Sequence, residues 1–212
     1  MKIVRKKYNN LLYVISYPDE YEEDKKYPVI FHTHGAGSRG THLSSLNIDV
    51  PIKNNPSANE FIIVAPQCYA DTWFEIFEQL IKFCEYIYEQ PFTDKTRFYS
   101  SGISMGGYAA YQLMMSRPQL FSAGIVCCGG GMYWNAGRLK DIPLRVFHGE
   151  QDKTVLPCES KNMSEYINAN GGNATLTLYP ECDHNCWDKT FTNKENFKWL
   201  LSHKKENKDK NA

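Results

Sequence analysis

Ser101-Gly102-Ile103-Ser104-Met105-Gly106-Gly107 follows Arg97-Phe98-Tyr99, which reads as the end of a strand, and precedes a segment in which Tyr108, Ala109, Ala110, Leu113 and Met114 recur at helical spacing. Gly-x-Ser-x-Gly at a strand-to-helix turn has a mechanical meaning. The serine occupies a sharp, strained bend, and glycines two residues to either side let neighbouring backbone pass close by. The hydroxyl is then held clear of the sheet, at a helix N-terminus whose dipole favours developing negative charge. A glycine-rich turn holding an ordinary serine would look the same over so short a stretch, so the rest of the chain has to supply the partners.

Outward from this turn, β-rich and helical stretches alternate. Leu11 to Tyr17 is β-rich and is closed by Pro18-Asp19. Tyr27 to Thr33 and Phe61 to Ala65 are nearly continuous apolar runs, the pattern of strands buried on both faces. Asp71 or Thr72 is placed to cap a helix whose apolar stripe runs Trp73, Ile76, Phe77, Leu80, Cys84, Ile87 and Tyr88. The helix after Ser104 stops at Arg117-Pro118, because the residue before proline disfavours helical backbone. Ala123 to Cys128 reads as strand followed by a triple-glycine turn, and Leu144 to Phe147 as strand. Glu159 to Asn168 reads as helix, Ala174 to Tyr179 as the last strand, and Phe191 to His203 as the closing helix. Phe191, Phe197, Leu200 and Leu201 are its candidate core residues. This alternation predicts an α/β fold with a mostly parallel central sheet covered by helices on both faces. Residues 1–203 are expected to form one domain, with 204–212 a polar, disordered tail.

At 212 residues the chain is long enough for one well-filled core. Basic and acidic side chains balance at 24 each, which removes the electrostatic reason to expect nucleic acid or an anionic membrane as partner. The N-terminal Met1 to Tyr8 has charge but no apolar signal core, and no apolar run reaches membrane-spanning length. Seven cysteines, an odd number with no short-spaced framework, suit reduced thiols, so a cytoplasmic location is expected.

A serine nucleophile needs a general base within hydrogen-bond reach, and the base needs an orienting carboxylate. In sheets of this kind such groups gather on loops past the C-terminal ends of strands. Asp152 lies on the loop after Leu144–Phe147, with Glu150 a weaker candidate beside it. His184 lies on the loop between the last strand and the closing helix. Of the other histidines, His203 is in the tail, His42 is in a loop, and His32, His34 and His148 sit in or at the ends of strands, where core and turn histidines are common. Acyl transfer also needs donors for an oxyanion, usually backbone N–H groups. Met105 offers one as the residue after the serine, and the His34-Gly35-Ala36-Gly37 loop offers another, with Ala36 favoured.

Taken together, the chain from Tyr27-Pro28 to Trp199-Leu200 resembles the compact α/β-hydrolases of the serine esterase, feruloyl esterase and "predicted peptidase" group, related to dienelactone hydrolases and carboxylesterases. The resemblance rests on His34 to Gly40, Ala65-Pro66-Gln67-Cys68, Gly102 to Gly107, His148-Gly149 with Asp152, and His184 followed by Trp187-Asp188. It implies an α/β-hydrolase fold with little or no cap domain, Ser104 as nucleophile, Asp152 as acid and His184 as base. Two departures stand out. Ser38 replaces a glutamate common in the group, and Ser104 stands where dienelactone hydrolases carry cysteine, which disfavours that substrate class.

The expected activity is two-step hydrolysis of small esters through an acyl-enzyme, without metal or organic cofactor, falling off in acid as the base protonates. The resemblance points to acetyl or hydroxycinnamoyl esters, including esters of oligosaccharides. Trp73, Met132, Tyr133, Trp134 and Trp187 flank the predicted loops as substrate-binding candidates, and simple core packing is the competing reading, above all for Trp73. A peptidase or amidase using the same residues is the nearest alternative. Metal binding by Cys182, His184 and Cys186 and a non-catalytic binding protein are the others.

Overall fold

The structure is a computed structural model, and it describes residues 1–42, 46, 52 and 55–206. Its centre is an eight-stranded sheet: β1 (Lys2–Tyr8), β2 (Leu11–Tyr17), β3 (Tyr27–Thr33), β4 (Ile62–Pro66), β5 (Thr93–Ile103), β6 (Ala123–Cys127), β7 (Leu144–Gly149) and β8 (Ala174–Tyr179). The spatial order is β1-β2-β4-β3-β5-β6-β7-β8. β1 and β2 are antiparallel to each other, β2 is antiparallel to β4, and every pairing from β4 onward is parallel.

Every residue of β3, β4 and β6 is buried, which explains their unbroken apolar character. Alternate side chains enter opposite layers. Val29, Phe31, Ile62 and Val64 join a core with Trp73, Leu80, Phe83 and Tyr111. Ile30, Ile63 and Tyr99 join a second one with Phe191, Phe197 and Leu200. The first core packs under α1 (Phe77–Tyr88), α2 (Met105–Ser116) and α3 (Cys158–Ala169), and the second under α4 (Trp187–Thr192) and α5 (Lys194–Ser202). Leu201, expected in the core, is only partly buried.

Several boundaries differ from the sequence expectation. β1 is an added strand whose lysine-rich sequence hides it. It lies at the sheet edge, where charged side chains block pairing with other chains. β5 runs on through Ile103 rather than ending at Tyr99, so Gly102 is still strand. The helix expected to start at Asp71 or Thr72 begins at Phe77, and neither residue caps it. Instead the Glu75 carboxylate accepts from Thr72 N–H (2.7 Å) and Thr72 Oγ1 (3.0 Å) in a separate turn. The closing helix is two helices, because Asn193 caps α5 by accepting from Glu195 N–H at 3.0 Å. Lys205 N–H bonds to Thr96 O at 2.9 Å, while residues 207–212 of the expected polar tail lie outside the described residues. No helix among the described residues is long and apolar enough to cross a membrane.

The chain leaves β3 toward β4 on one side and returns at β5 to build the other side. β3 and β5 are neighbours, with Thr33 opposite Gly102. The order of strands therefore reverses just beyond these two residues. In open α/β sheets this switch point, outside the carboxyl ends of the strands, is where a crevice opens for ligands.

Candidate active site

Ser104 sits at that switch point with φ +54° and ψ −122°, a conformation that costs a non-glycine residue about 1–3 kcal/mol. The surrounding backbone holds it there. Ser104 N–H donates to Cys127 O at 2.9 Å, and Ser104 O accepts from Gly107 N–H at 2.7 Å. A Cβ on Gly102 would overlap Gly106 O, and one on Gly106 would overlap the Thr33 carbonyl. Both glycines are thus needed for β5, α2 and the end of β3 to meet. Thr33 Oγ1 donates to Gly106 O at 2.6 Å and locks the same junction.

His184 Nε2 lies 2.9 Å from Ser104 Oγ, and His184 Nδ1 lies 2.7 Å from Asp152 Oδ2. The three residues come from loops after β5, β7 and β8. The loop carrying His184 is laid over the end of β7, where a Cβ on Gly149 would overlap the carbonyls of Cys182 and Asp183. Gln151 N–H donates to Cys182 O at 3.0 Å and ties that loop to the one carrying Asp152. Glu150, the weaker acid candidate, is exposed and offers only its N–H to Tyr179 O.

Asp152 is buried, and its other oxygen accepts from the backbone N–H groups of Thr154 (2.8 Å) and Val155 (3.0 Å). Burial alone would raise its carboxyl. The hydrogen bonds from His184, Val155 and Thr154, with the charge of His184, outweigh burial and hold it below the usual carboxylate range. His148 adds a contact that spacing gave no reason to expect. Its Nε2 lies 3.2 Å from Asp152 Oδ2 and 2.9 Å from Val155 O, and its Nδ1 lies 2.7 Å from Ser160 Oγ. The signal available in sequence was the histidine four residues before Asp152, at the end of β7.

Gly35 follows β3, and the short 3-10 turn Ala36–Ser38 comes next. A Cβ on Gly35 would lie 3.5 Å from the Ser104 Cβ, so this loop borders the serine. Neither Ala36 N–H nor Met105 N–H has an acceptor among the described residues. The start of the loop is braced from below. Trp73 Nε1–H donates to His34 O at 3.0 Å, and Cys68 N–H donates to His34 Nε2 at 3.0 Å. With Nε2 accepting, Nδ1 carries the proton that reaches Gly35 O at 2.6 Å, so the imidazole is neutral.

The aromatic candidates divide. Trp73 is fully buried and does not face a substrate. Its indole is core, and its one polar atom serves the His34 carbonyl. Trp187 stands edge-on to His184, with centroids 5.5 Å apart. Met132, Tyr133 and Trp134 are exposed on the loop after β6, Trp134 at 71 %, and Tyr133 pairs with Tyr166 at 4.9 Å. Cys182, His184 and Cys186 do not converge. The Cys182 thiol meets Asn185 O, the Cys186 thiol meets Phe147 O, and both His184 nitrogens are engaged elsewhere.

Comparison with known proteins agrees with this architecture. The model of the prolyl oligopeptidase family matches residues 67–134, the part that holds the serine turn. A solved thermostable esterase superposes with a TM-score of 0.85 at 28 % identity, over 96 % of this chain and 63 % of its own. The chain has the α/β-hydrolase fold. A probable feruloyl esterase C from Aspergillus niger is 26 % identical over 190 residues, covering 86 % of this hydrolase and 70 % of the relative. A putative dipeptidyl aminopeptidase IV from Bacteroides ovatus has the same fold, with a TM-score of 0.72 at 16 % identity. It matches 95 % of this hydrolase but only 34 % of its own length. The hydrolase thus spans about two thirds of the two esterase relatives and about one third of the peptidase.

Proposed function

We propose that this hydrolase is a serine carboxylic-ester hydrolase that works through an acyl-enzyme on small esters, including acetyl and hydroxycinnamoyl esters of carbohydrates. The observation that carries the reading is the unbroken hydrogen-bonded path Ser104 Oγ–His184–Asp152, at 2.9 and 2.7 Å.

In this mechanism Ser104 Oγ attacks the ester carbonyl while His184 Nε2 takes its proton. Asp152 holds the Nδ1–H tautomer and stabilises the imidazolium as it forms, without itself becoming protonated. The N–H groups of Ala36 and Met105 donate to the oxyanion of the tetrahedral intermediate, each contributing about 10²–10³ in rate. His184 then returns the proton to the leaving alcohol. Water repeats the sequence on the acyl-enzyme with His184 again as base. The Ser104 backbone is already held in its strained bend, so little reorganisation is needed there at the moment of reaction. Met132, Tyr133, Trp134 and Trp187 would contact the acyl or alcohol group. The names of the 26 % and 28 % identical relatives, both esterases, support ester over amide substrates. The seven unbridged cysteines suit the cytoplasmic location we propose with it.

A peptidase or amidase is the second reading, favoured by the prolyl oligopeptidase match over residues 67–134. Turnover of 4-nitrophenyl acetate, methyl ferulate and a peptide anilide by wild type and Ser104→Ala separates the two. Both esters should be cleaved, and Ser104→Ala should lower kcat by about 10⁴–10⁶. Undiminished ester turnover in Ser104→Ala removes the serine mechanism, and cleavage of the anilide alone transfers the chain to the peptidases.

A further inference from the structure

The tip of the β1–β2 hairpin reaches the end of the sheet on which Ser104 stands. β2 is antiparallel to β4 and so begins where β4 ends, and Gln67 N–H donates to Leu12 O at 2.8 Å. Between this tip and the loop after β3 lies a cavity of about 350 Å³, lined by Lys7, Asn10, Thr41, Gln67 and Tyr69. That volume suits a small ligand. β4, β3 and β5 are parallel neighbours, so Gln67 and Ser104 follow their strands on the same end of the sheet. Two strand spacings, or about 10 Å, separate them. One loop serves both places, since Gly35 borders the serine and Thr41 lines the cavity. Gly40 N–H donates to Cys68 O at 2.9 Å, and Gln67 Nε2 donates to Ser38 O at 3.3 Å. The cavity wall therefore braces the loop that bears Ala36.

The lining has the chemistry of a sugar site. The Tyr69 ring is 42 % exposed, and its hydroxyl is held by donating to Gln79 Oε1 at 2.7 Å, which leaves a fixed aromatic plane. An aromatic plane takes the C–H face of a sugar ring, while ammonium, amide and hydroxyl groups take the sugar hydroxyls. The side chains of Lys7, Asn10 and Thr41 have no partner among the described residues, so their donors and acceptors are open to a ligand. Tyr69 also borders a second cavity, of about 590 Å³, that Phe74 lines with its exposed ring. Two recesses that share Tyr69 make a groove with room for more than one sugar unit.

We infer that the groove over Lys7, Asn10, Thr41 and Tyr69, extended by Phe74, is a subsite for the sugar chain that forms the alcohol part of the ester. The inference rests on the proposed ester hydrolysis and names its leaving group. Met132, Tyr133 and Trp134, proposed as contacts of the ester, follow β6, on the other side of Ser104 in strand order. The acyl and sugar parts of one ester then lie to either side of the serine. A sugar in the groove leans on the loop bearing Ala36, so part of its binding is expressed at the oxyanion and raises kcat as well as lowering KM.

The test compares feruloylated xylotetraose with methyl ferulate, which shares its acyl group. kcat/KM should be higher for the sugar ester. Tyr69→Ala should lower the ratio of the two values by about tenfold, Lys7→Ala by about threefold, and Tyr69→Phe, which keeps the ring, should restore most of it. Phe74→Ala, at another exposed site, carries the same test should Tyr69→Ala not fold. Unesterified xylotetraose, cellotetraose and galactotetraose titrated into the Ser104→Ala protein and followed by NMR read the groove without turnover. At least one should bind, and adding Tyr69→Ala should weaken it by about tenfold. A ratio unchanged by Tyr69→Ala, or tetrasaccharide binding that is absent or indifferent to Tyr69, overturns the subsite. Tyr69-dependent binding in a chain whose wild type cleaves neither ester would refute the proposed function alone.

Discussion

His148 Nε2 stands 3.2 Å from Asp152 Oδ2, the same carboxylate oxygen that meets His184 Nδ1 at 2.7 Å. One buried oxygen is therefore held between two imidazoles, and the second imidazole is itself anchored by Ser160 and Val155. His148 is a positioning residue, since it reaches the serine only through Asp152. Its replacement by Gln should lower kcat by about tenfold, or about 1.4 kcal/mol, because the polar contact that His148 makes with the Asp152 carboxylate is lost. KM should stay near the wild-type value. A fall in KM-dependent terms alone, with kcat intact, would remove His148 from the positioning role.

The depressed Asp152 carboxyl ties acid stability to the site. Burial raises it, but the bonds from His184, Val155 and Thr154 prevail, so its folded pKa lies below the unfolded one. The unfolded chain then binds the proton more readily. Stability is fully present above the unfolded value, about 3.9, and is lost as pH falls through the folded one. Melting temperatures measured from neutral pH down to this acid range should fall more steeply in wild type than in Asp152→Asn. Parallel curves would show that Asp152 is not linked to folding.

Two glycines, Gly106 after the serine and Gly37 in the loop after β3, should respond differently. A Cβ at Gly106 would overlap the Thr33 and His34 carbonyls, whereas one at Gly37 would meet nothing within 4 Å. Gly106→Ala should cost more than about 3 kcal/mol or prevent folding, and Gly37→Ala should stay within about 0.5 kcal/mol of wild type. Urea unfolding of the two variants decides it.

Trp73 and Trp134 separate brace from contact. Trp73→Phe keeps most of the buried ring but removes the donor to His34 O, at a cost of about 1–3 kcal/mol in stability. It should also lower kcat, because the His34 backbone leads into the loop bearing Ala36. Trp134→Ala, at a site 71 % exposed, should change stability by less than about 0.5 kcal/mol and raise KM for methyl ferulate more than for 4-nitrophenyl acetate. Equal effects on both esters would place Trp134 outside the acyl contact.

Much of the fold was legible because its signals are local. The continuous apolar runs of β3, β4 and β6 announce strands covered on both faces, and Pro118 marks the end of α2. Gly102, Ser104 and Gly106 announce the bend, since only glycine admits backbone at those distances. Strand order and loop position then sufficed to nominate Asp152 and His184. β1 was invisible because an edge strand exposes its side chains and so carries no apolar pattern. The start of α1 was misread because Trp73 and Ile76 continue the helical stripe although they sit in a turn.

The sequence by itself determined the layered α/β architecture, the strained turn at Ser104 and the chain order of its partners, because strand burial, helix periodicity and glycine sterics act over a few residues. Only the tertiary structure decided that Trp73 braces the His34 carbonyl from within the core and that His148 shares the Asp152 oxygen. Those contacts join separate strands and loops, and their distances follow from how the sheet twists and the loops pack, which no local pattern encodes.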